Sequence, residues 1–257
     1  MEEKELNLDV LDIKFRKLKK TVNESVNLII CGLNFSNQFD FANANQLYAL
    51  YFLNISLGFE LLMKSMICYK EYKDKENFEI NLKDYGHDLI KLRNKILENY
   101  KTLSQGRNPQ EERMISELKE DCKFIHEDNE LTKILEILSW YGLGGRYYNL
   151  DYITSKKIEK NKKNPEFEMD ELILLEFLSK KDKNLYNKFT KPKDEDKDLS
   201  NTTEVWREVI QKYINPKLKD FLGALSRQLS YGVLGNRARE CREIDDFAYN
   251  FKIKKII

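Results

Sequence analysis

The sequence is poor in residues that interrupt helices. Of its 257 residues only 10 are glycine and four are proline, and no proline stands before Pro109. With frequent Leu, Lys, Glu and Ile, this scarcity argues against a sheet fold of many short turns and favours helix. Histidine is scarcer still: His87 and His126 are the only two, which leaves little material for a two-histidine metal site or a Ser–His–Asp triad. Four cysteines stand at 31, 68, 122 and 241, without a CxxC pair or a Cys/His cluster at zinc spacing. They read as thiols of a reducing compartment. There is no P-loop and no glycine fingerprint after a strand, and no cofactor is implied. Nor is there an excess of one charge, since 44 Lys and Arg balance 43 Asp and Glu for a net charge of +1. A dedicated duplex binder carries a clear basic surplus, so sequence-specific DNA binding is not expected, while a local RNA-binding patch stays open. The opening MEEKELNLDV is acidic and lacks the shape of a signal peptide, and apolar runs such as Val26–Leu33 are too short to span a bilayer. A soluble cytoplasmic protein without membrane association is expected.

What the sequence does have is helical periodicity. Leu8, Leu11, Phe15 and Leu18, then Val22, Val26 and Ile29, fall at helical spacing over residues 8–35, with a break expected near Lys20–Thr21. The next segment, roughly Asn43–Lys73, is apolar around most of its circumference and predicts a central helix covered by its neighbours. Its few polar positions, Ser56, Glu60 and Lys64, recur every four residues and so form one narrow stripe. Glu60 and Lys64 are an i,i+4 ion pair in the favoured orientation, either a structural pair at the core edge or the polar lining of an interhelical groove.

Further on, Gly86-His87-Asp88 opens a third helix to about Tyr100, and Asn108-Pro109 with Glu111 is a helix start that predicts a fourth to about His126. His87 is either a packing and capping residue or a catalytic imidazole, and His126 lies near a helix end where a dipole role is expected. A helix over Leu131–Trp140 meets Gly142, Gly144 and Gly145. Then comes an aromatic cluster around an arginine, Trp140, Tyr141, Arg146, Tyr147, Tyr148 and Tyr152. Such a cluster packs a helix corner or stacks on bases beside a neutralised phosphate. After a basic loop (Thr154–Pro165), Glu168–Phe189 can hold one helix. Lys191–Ser200 is a charged linker, and Asn201 with Glu204 predicts a helix start. The chain kinks at Asn215-Pro216 and runs on to about Tyr231.

Taken in order, these pieces resemble the HEPN superfamily, the all-helical proteins of bacterial toxin–antitoxin and phage-defence systems. The residues that carry the resemblance are Gly58-Phe59-Glu60-Leu61-Leu62-Met63-Lys64, Gly86-His87-Asp88-Leu89-Ile90-Lys91-Leu92, Arg146-Tyr147-Tyr148, and the last long helix over 202–231. The likeness spans about residues 22–230. It implies an all-α bundle around a long central helix, with a domain over 1–231, an insertion at about 154–200 before the last long helix, and a C-terminal tail over 232–257. It also implies a homodimer engaging RNA or a partner protein. The family's ribonucleases place a His four to six residues after an Arg and cleave RNA without metal across two facing subunits. This chain departs from that pattern. The nearest fragment, Arg93-Asn94 through Glu98 to Tyr100, has Glu98 where the His would stand. A carboxylate with an ordinary pKa of about 4.3 is ionised at neutral pH and repels the scissile phosphate. The resemblance therefore points first to a non-catalytic binding protein, with Glu60, Lys64, Asn94, Tyr147 and Tyr148 as binding candidates. A divergent ribonuclease using Arg93, His87, Arg146 or His126 is the alternative.

Overall fold

A computed structural model describes residues 2–38, 44–103, 105–143, 165–190 and 198–241. These are helices and their connections, with no strand among them. Helix α1 (Glu2–Phe35) is continuous, without the break expected near Thr21. The Thr21 hydroxyl bonds back to the carbonyl of Lys17 at 3.1 Å, so it is satisfied inside the helix and competes for no backbone group outside it. The central helix α2 (Ala44–Lys75) runs antiparallel to α1. A Cβ on Gly32 would meet Ile55, and one on Gly58 would meet Ser25 and Ile29, while Phe15 lies edge-on to Tyr72 at 4.7 Å. The Gly58 position is close enough that a Cβ would stand 2.8 Å from the Ser25 carbonyl oxygen, so only glycine lets the two backbones approach this far.

Phe52, Ile55, Phe59, Leu62, Met63 and Met66 are fully enclosed, which is why α2 tolerates being apolar all round. By length and composition α2 could cross a membrane, but 67% of its most apolar stretch is buried inside the fold.

Helices α3 (Leu89–Leu97), α4 (Pro109–Glu127) and α5 (Asn129–Leu143) follow. Asn108 caps α4 through its Oδ1, which accepts the Glu111 N–H at 2.9 Å, as the Asn-Pro-x-Glu start predicts. The segment expected as one helix over Glu168–Phe189 is instead broken. Helix α6 (Pro165–Leu172) passes through a π-helical turn (Ile173–Leu178) and a short turn (Ser179–Lys181), then stops. Asp182 breaks it: its Oδ1 accepts the Leu185 N–H at 3.1 Å and starts α7 (Lys183–Thr190). Helix α8 (Asp198–Val209) begins one turn before the Asn201 start.

The kink expected at Asn215-Pro216 is a π-helical turn over Ile210–Ile214 leading into α9 (Asn215–Ser230). Pro216 has no N–H for the carbonyl four residues back, and the ladder widens there, with the Asn215 N–H bonding Ile210. The buried Asn215 side chain fixes the turn by donating to Ser36 Oγ at 2.8 Å and accepting from the Tyr51 hydroxyl at 2.9 Å.

The core is continuous. Phe59 of α2 meets Phe221 of α9 with ring centroids 5.1 Å apart. Met169, Ile173, Phe177 and Leu185 of α6–α7 join the same cluster, so the segment between the two charged stretches is a packed layer. Beyond α9, Val233, Leu234, Ala238 and Cys241 are also buried, the last beside the Tyr69 hydroxyl at 3.3 Å. All four cysteines are free thiols.

Candidate functional site

The Ser56–Glu60–Lys64 stripe of α2 faces the start of α3 and the end of α5. Ser56 Oγ donates to the carbonyl of Leu138 at 2.8 Å, which ties α2 to α5. One turn on, Glu60 is only 6% exposed and uses both oxygens: Lys64 Nζ reaches Oε1 and His87 Nδ1 reaches Oε2, each at 2.7 Å. The two motifs that carry the family resemblance, 27 residues apart, therefore meet at one buried carboxylate.

The chain before α3 is built to deliver that imidazole. A 3-10 turn (Leu82–Tyr85) ends at Gly86 with φ of +53°, a left-handed conformation that favours glycine. Asp88 then caps α3 through its Oδ1 on the Lys91 N–H at 2.9 Å. Ser139 of α5 accepts the Leu89 N–H at 2.8 Å, so α3 is capped from two sides. Gly142 leaves room for His87: a Cβ there would lie 3.3 Å from the His87 Cβ and 3.0 Å from Ser56 Oγ. Because a carboxylate only accepts, Nδ1 is the donor, and the neutral ring keeps Nε2 as a lone-pair acceptor. The His87 side chain is 45% exposed. Chemically this is an imidazole fixed in tautomer and orientation by a carboxylate, with an adjacent ammonium.

Arg93 and Asn94, just over one turn along α3, are bonded to each other. Arg93 is 8% exposed, and its Nη1 donates to Thr132 Oγ1 at 2.6 Å. Its Nε and Nη2 both reach Asn94 Oδ1, at 3.4 and 3.2 Å. Burial pulls the guanidinium pKa below its ordinary value, and the nearby Glu136 carboxylate counters part of that. Its hydrogen bonds are directed into the α3–α5 contact. His126 is exposed on the last turn of α4. Among the described residues, no hydrogen bond or ion pair joins either histidine to an arginine. Arg146, Tyr147 and Tyr148 lie outside the described residues.

Beside His87, a groove of about 750 Å³ opens between the start of α3, α5 and α6. Ile137, Trp140 and Leu172 give it an apolar floor, and Asp88, Glu136, Glu168, Glu171 and Glu176 surround it. Among the described residues its one lining cation, Lys133, is bonded to Glu176 at 2.6 Å. Lys133 and Lys180 together hold the Glu176 carboxyl down to about 2. The carboxylates come from α3, α5 and α6, and nothing in the sequence signals that they share a rim. The same is true of Thr132 under Arg93. Gly142, by contrast, stood in the glycine-rich stretch and was visible as an interruption. Among the described residues, no group of three or more His, Cys, Asp or Glu side chains could hold a metal ion.

No family model matches the chain, and neither a curated protein nor a solved structure matches it.

Proposed function

We propose that the chain is a HEPN-like binding protein, cytoplasmic and dimeric, that engages a partner macromolecule without catalysis in a bacterial toxin–antitoxin or phage-defence setting. The observation that carries this reading is the Glu60–His87 contact. Two motifs chosen for their resemblance to one family converge on a single carboxylate, which chance likeness at two separate places gives no reason to expect. Arg93 supports the absence of catalysis. An arginine that stabilises a phosphorane must reach the phosphate, and this one is buried against Thr132 and Asn94.

The groove beside His87 favours a protein over RNA as the partner. Five carboxylates around an apolar floor repel phosphates and suit a segment with Lys or Arg side chains and one apolar anchor. The test compares a lysine-rich peptide carrying one leucine with single-stranded RNA of equal length, at 50 and 300 mM NaCl. The reading expects the peptide to bind with loss at high salt, to shift the His87 ring signals in NMR spectra, and to weaken in Glu136→Gln/Glu171→Gln. Preferential RNA binding that shifts the same signals would contradict it. Light scattering on the purified chain bears on the dimer, and a strict monomer would count against the family model.

One observation favours a second reading, a divergent metal-independent ribonuclease. A half-exposed imidazole held by a carboxylate is a competent general acid or base. It still needs a cation at the phosphate. Since Arg93 is engaged elsewhere, this reading rests on Arg146.

A further inference from the structure

A second cavity, of about 400 Å³, lies where the C-terminal end of α2, the start of α4 and the turn after α9 come together. Its charge is opposite to that of the groove beside His87. Lys73, Arg107 and Arg239 line it, against one carboxylate among the described residues, that of Glu111. Basic side chains elsewhere in this charge-balanced chain are commonly paired. Lys64, Lys133, Lys217, Arg227 and Arg237 all hold carboxylates. These three do not. Lys73 Nζ donates to the carbonyl of Val233 at 2.8 Å and Arg239 Nη2 to that of Tyr231 at 3.3 Å, both neutral acceptors. Asp74, the carboxylate next to Lys73, is bonded through both oxygens to Lys70. Glu111 Oε2 is occupied by the backbone N–H of Arg107 at 2.9 Å. Among the described residues, no ion pair neutralises the three cations.

The backbone is shaped around them. Gly232 has φ of +76°, and a Cβ there would lie 2.4 Å from Arg239 Nε, so the guanidinium lies where any other residue would put its side chain. The stem of Lys73 rests over Gly235, which has φ of +95°. Burial, with the charges of Lys70 and Arg239, draws the Lys73 pKa below its ordinary value, and the neighbouring Asp74 carboxylate counters only part of that. Ile115 and Leu118 of α4 give the cavity an apolar side.

We infer that this cavity is a binding site for a small organic phosphate, with the phosphate on Lys73, Arg107 and Arg239 and the organic body on Ile115 and Leu118. Two guanidinium forks and an ammonium suit a multiply charged tetrahedral anion better than a single carboxylate. The volume falls in the range of ordinary ligand pockets. This site shares none of the described residues with the groove beside His87, so it stands whether or not that groove binds a protein.

The test is isothermal titration calorimetry on the full chain in 50 mM NaCl with inorganic phosphate, phenyl phosphate and benzoate. Phenyl phosphate is expected to bind with a Kd below about 1 mM, tighter than inorganic phosphate and far tighter than benzoate. Arg107→Gln and Lys73→Gln should each weaken it about fivefold or more, Arg107→Gln with unchanged circular dichroism and urea midpoint, and Lys73→Gln, which also loses the bond to Val233, with unchanged circular dichroism. Arg107 is exposed and makes no side-chain bond among the described residues, so its variant tests binding without risk to folding. A trinucleotide with and without a 5′-phosphate identifies the source. Binding of the phosphorylated form above phenyl phosphate assigns a nucleic-acid end, and weaker binding assigns a free small anion. No heat from either phosphate probe up to 10 mM, or equal affinity in the wild type and Arg107→Gln/Lys73→Gln, would overturn the inference.

Discussion

The groove beside His87 and the cavity beside Arg239 are built alike and charged oppositely. Each has an apolar floor supplied by helices and a rim of like charges drawn from elements far apart in sequence. They differ in how the rim is held. On the acidic side, Glu176 of the rim is locked between Lys133 and Lys180, and behind the rim Glu60 is held by Lys64 and His87. On the basic side, the hydrogen bonds of Lys73 and Arg239 among the described residues go to backbone carbonyls. A net charge of +1 therefore conceals a segregated surface. Composition speaks to the average and argues against a dedicated duplex binder. It says nothing of two sites of opposite sign.

The largest effect is expected where the acidic side is most buried. Removing the Glu60 carboxylate leaves Lys64 and His87 facing an uncharged hole. With Lys64 17% and His87 45% exposed, the full cost of breaking a buried pair is partly relieved by water, and Glu60→Ala should lose about 2–3 kcal/mol in urea unfolding. Affinity for phenyl phosphate at the other site should not change in the folded protein. A stability within about 0.5 kcal/mol of wild type would show that the pair is a surface contact.

Next comes Gly232→Ala. An alanine at φ of +76° is strained, and its Cβ displaces the Arg239 guanidinium. A loss of about 1–2 kcal/mol is expected. Phenyl phosphate binding should weaken with it, while the peptide bound beside His87 is unaffected. Equal weakening at both sites would mean that the two cavities are not independent.

The smallest effect is set by pH. The Glu176 carboxyl is held down to about 2 from an ordinary value of 4.5 by hydrogen bonds from Lys133 and Lys180. A depressed carboxyl stabilises fully above its unfolded pKa, and the contribution is lost as pH falls through about 4.5 toward 2. The acidic groove should therefore loosen over that window while neutral pH leaves it intact. In a Trp206→Phe variant the remaining Trp140, which lines the groove, reports this by a fluorescence change. A titration that stays flat from pH 7 down through about pH 1.5, past the folded-state value, would remove the Glu176 pairs from the account.

Sequence reasoning reached those features whose causes are local. The Asn108 cap, the interruption at Asn215-Pro216 and the Glu60–Lys64 pair follow from residues close in sequence, while the π-helical form of that interruption, held by Ser36 and Tyr51, does not. The all-helical architecture and the burial of α2 follow from periodicity and from the scarcity of breakers. The continuous α1 was missed because Thr21 satisfies itself within the helix. The stop at Asp182 was missed because an aspartate can serve as a helical surface residue or as a cap, and only packing decides. Both Glu60 and His87 stood out as single residues, but their contact depends on where α3 docks. Arg93 is a candidate for the phosphate by sequence, but its guanidinium is buried and bonded to Thr132, 39 residues away. The two charged rims were out of reach for the same reason.

The central claim is that a histidine fixed beside Glu60, without a phosphate-reaching Arg93, makes a binding site and not a nuclease. The most direct measurement is incubation of the purified chain with total RNA and tRNA in the presence of EDTA, followed by gel analysis of the products. The account predicts intact RNA after prolonged incubation. Metal-independent cleavage that disappears in Arg93→Ala or Arg146→Ala would contradict it.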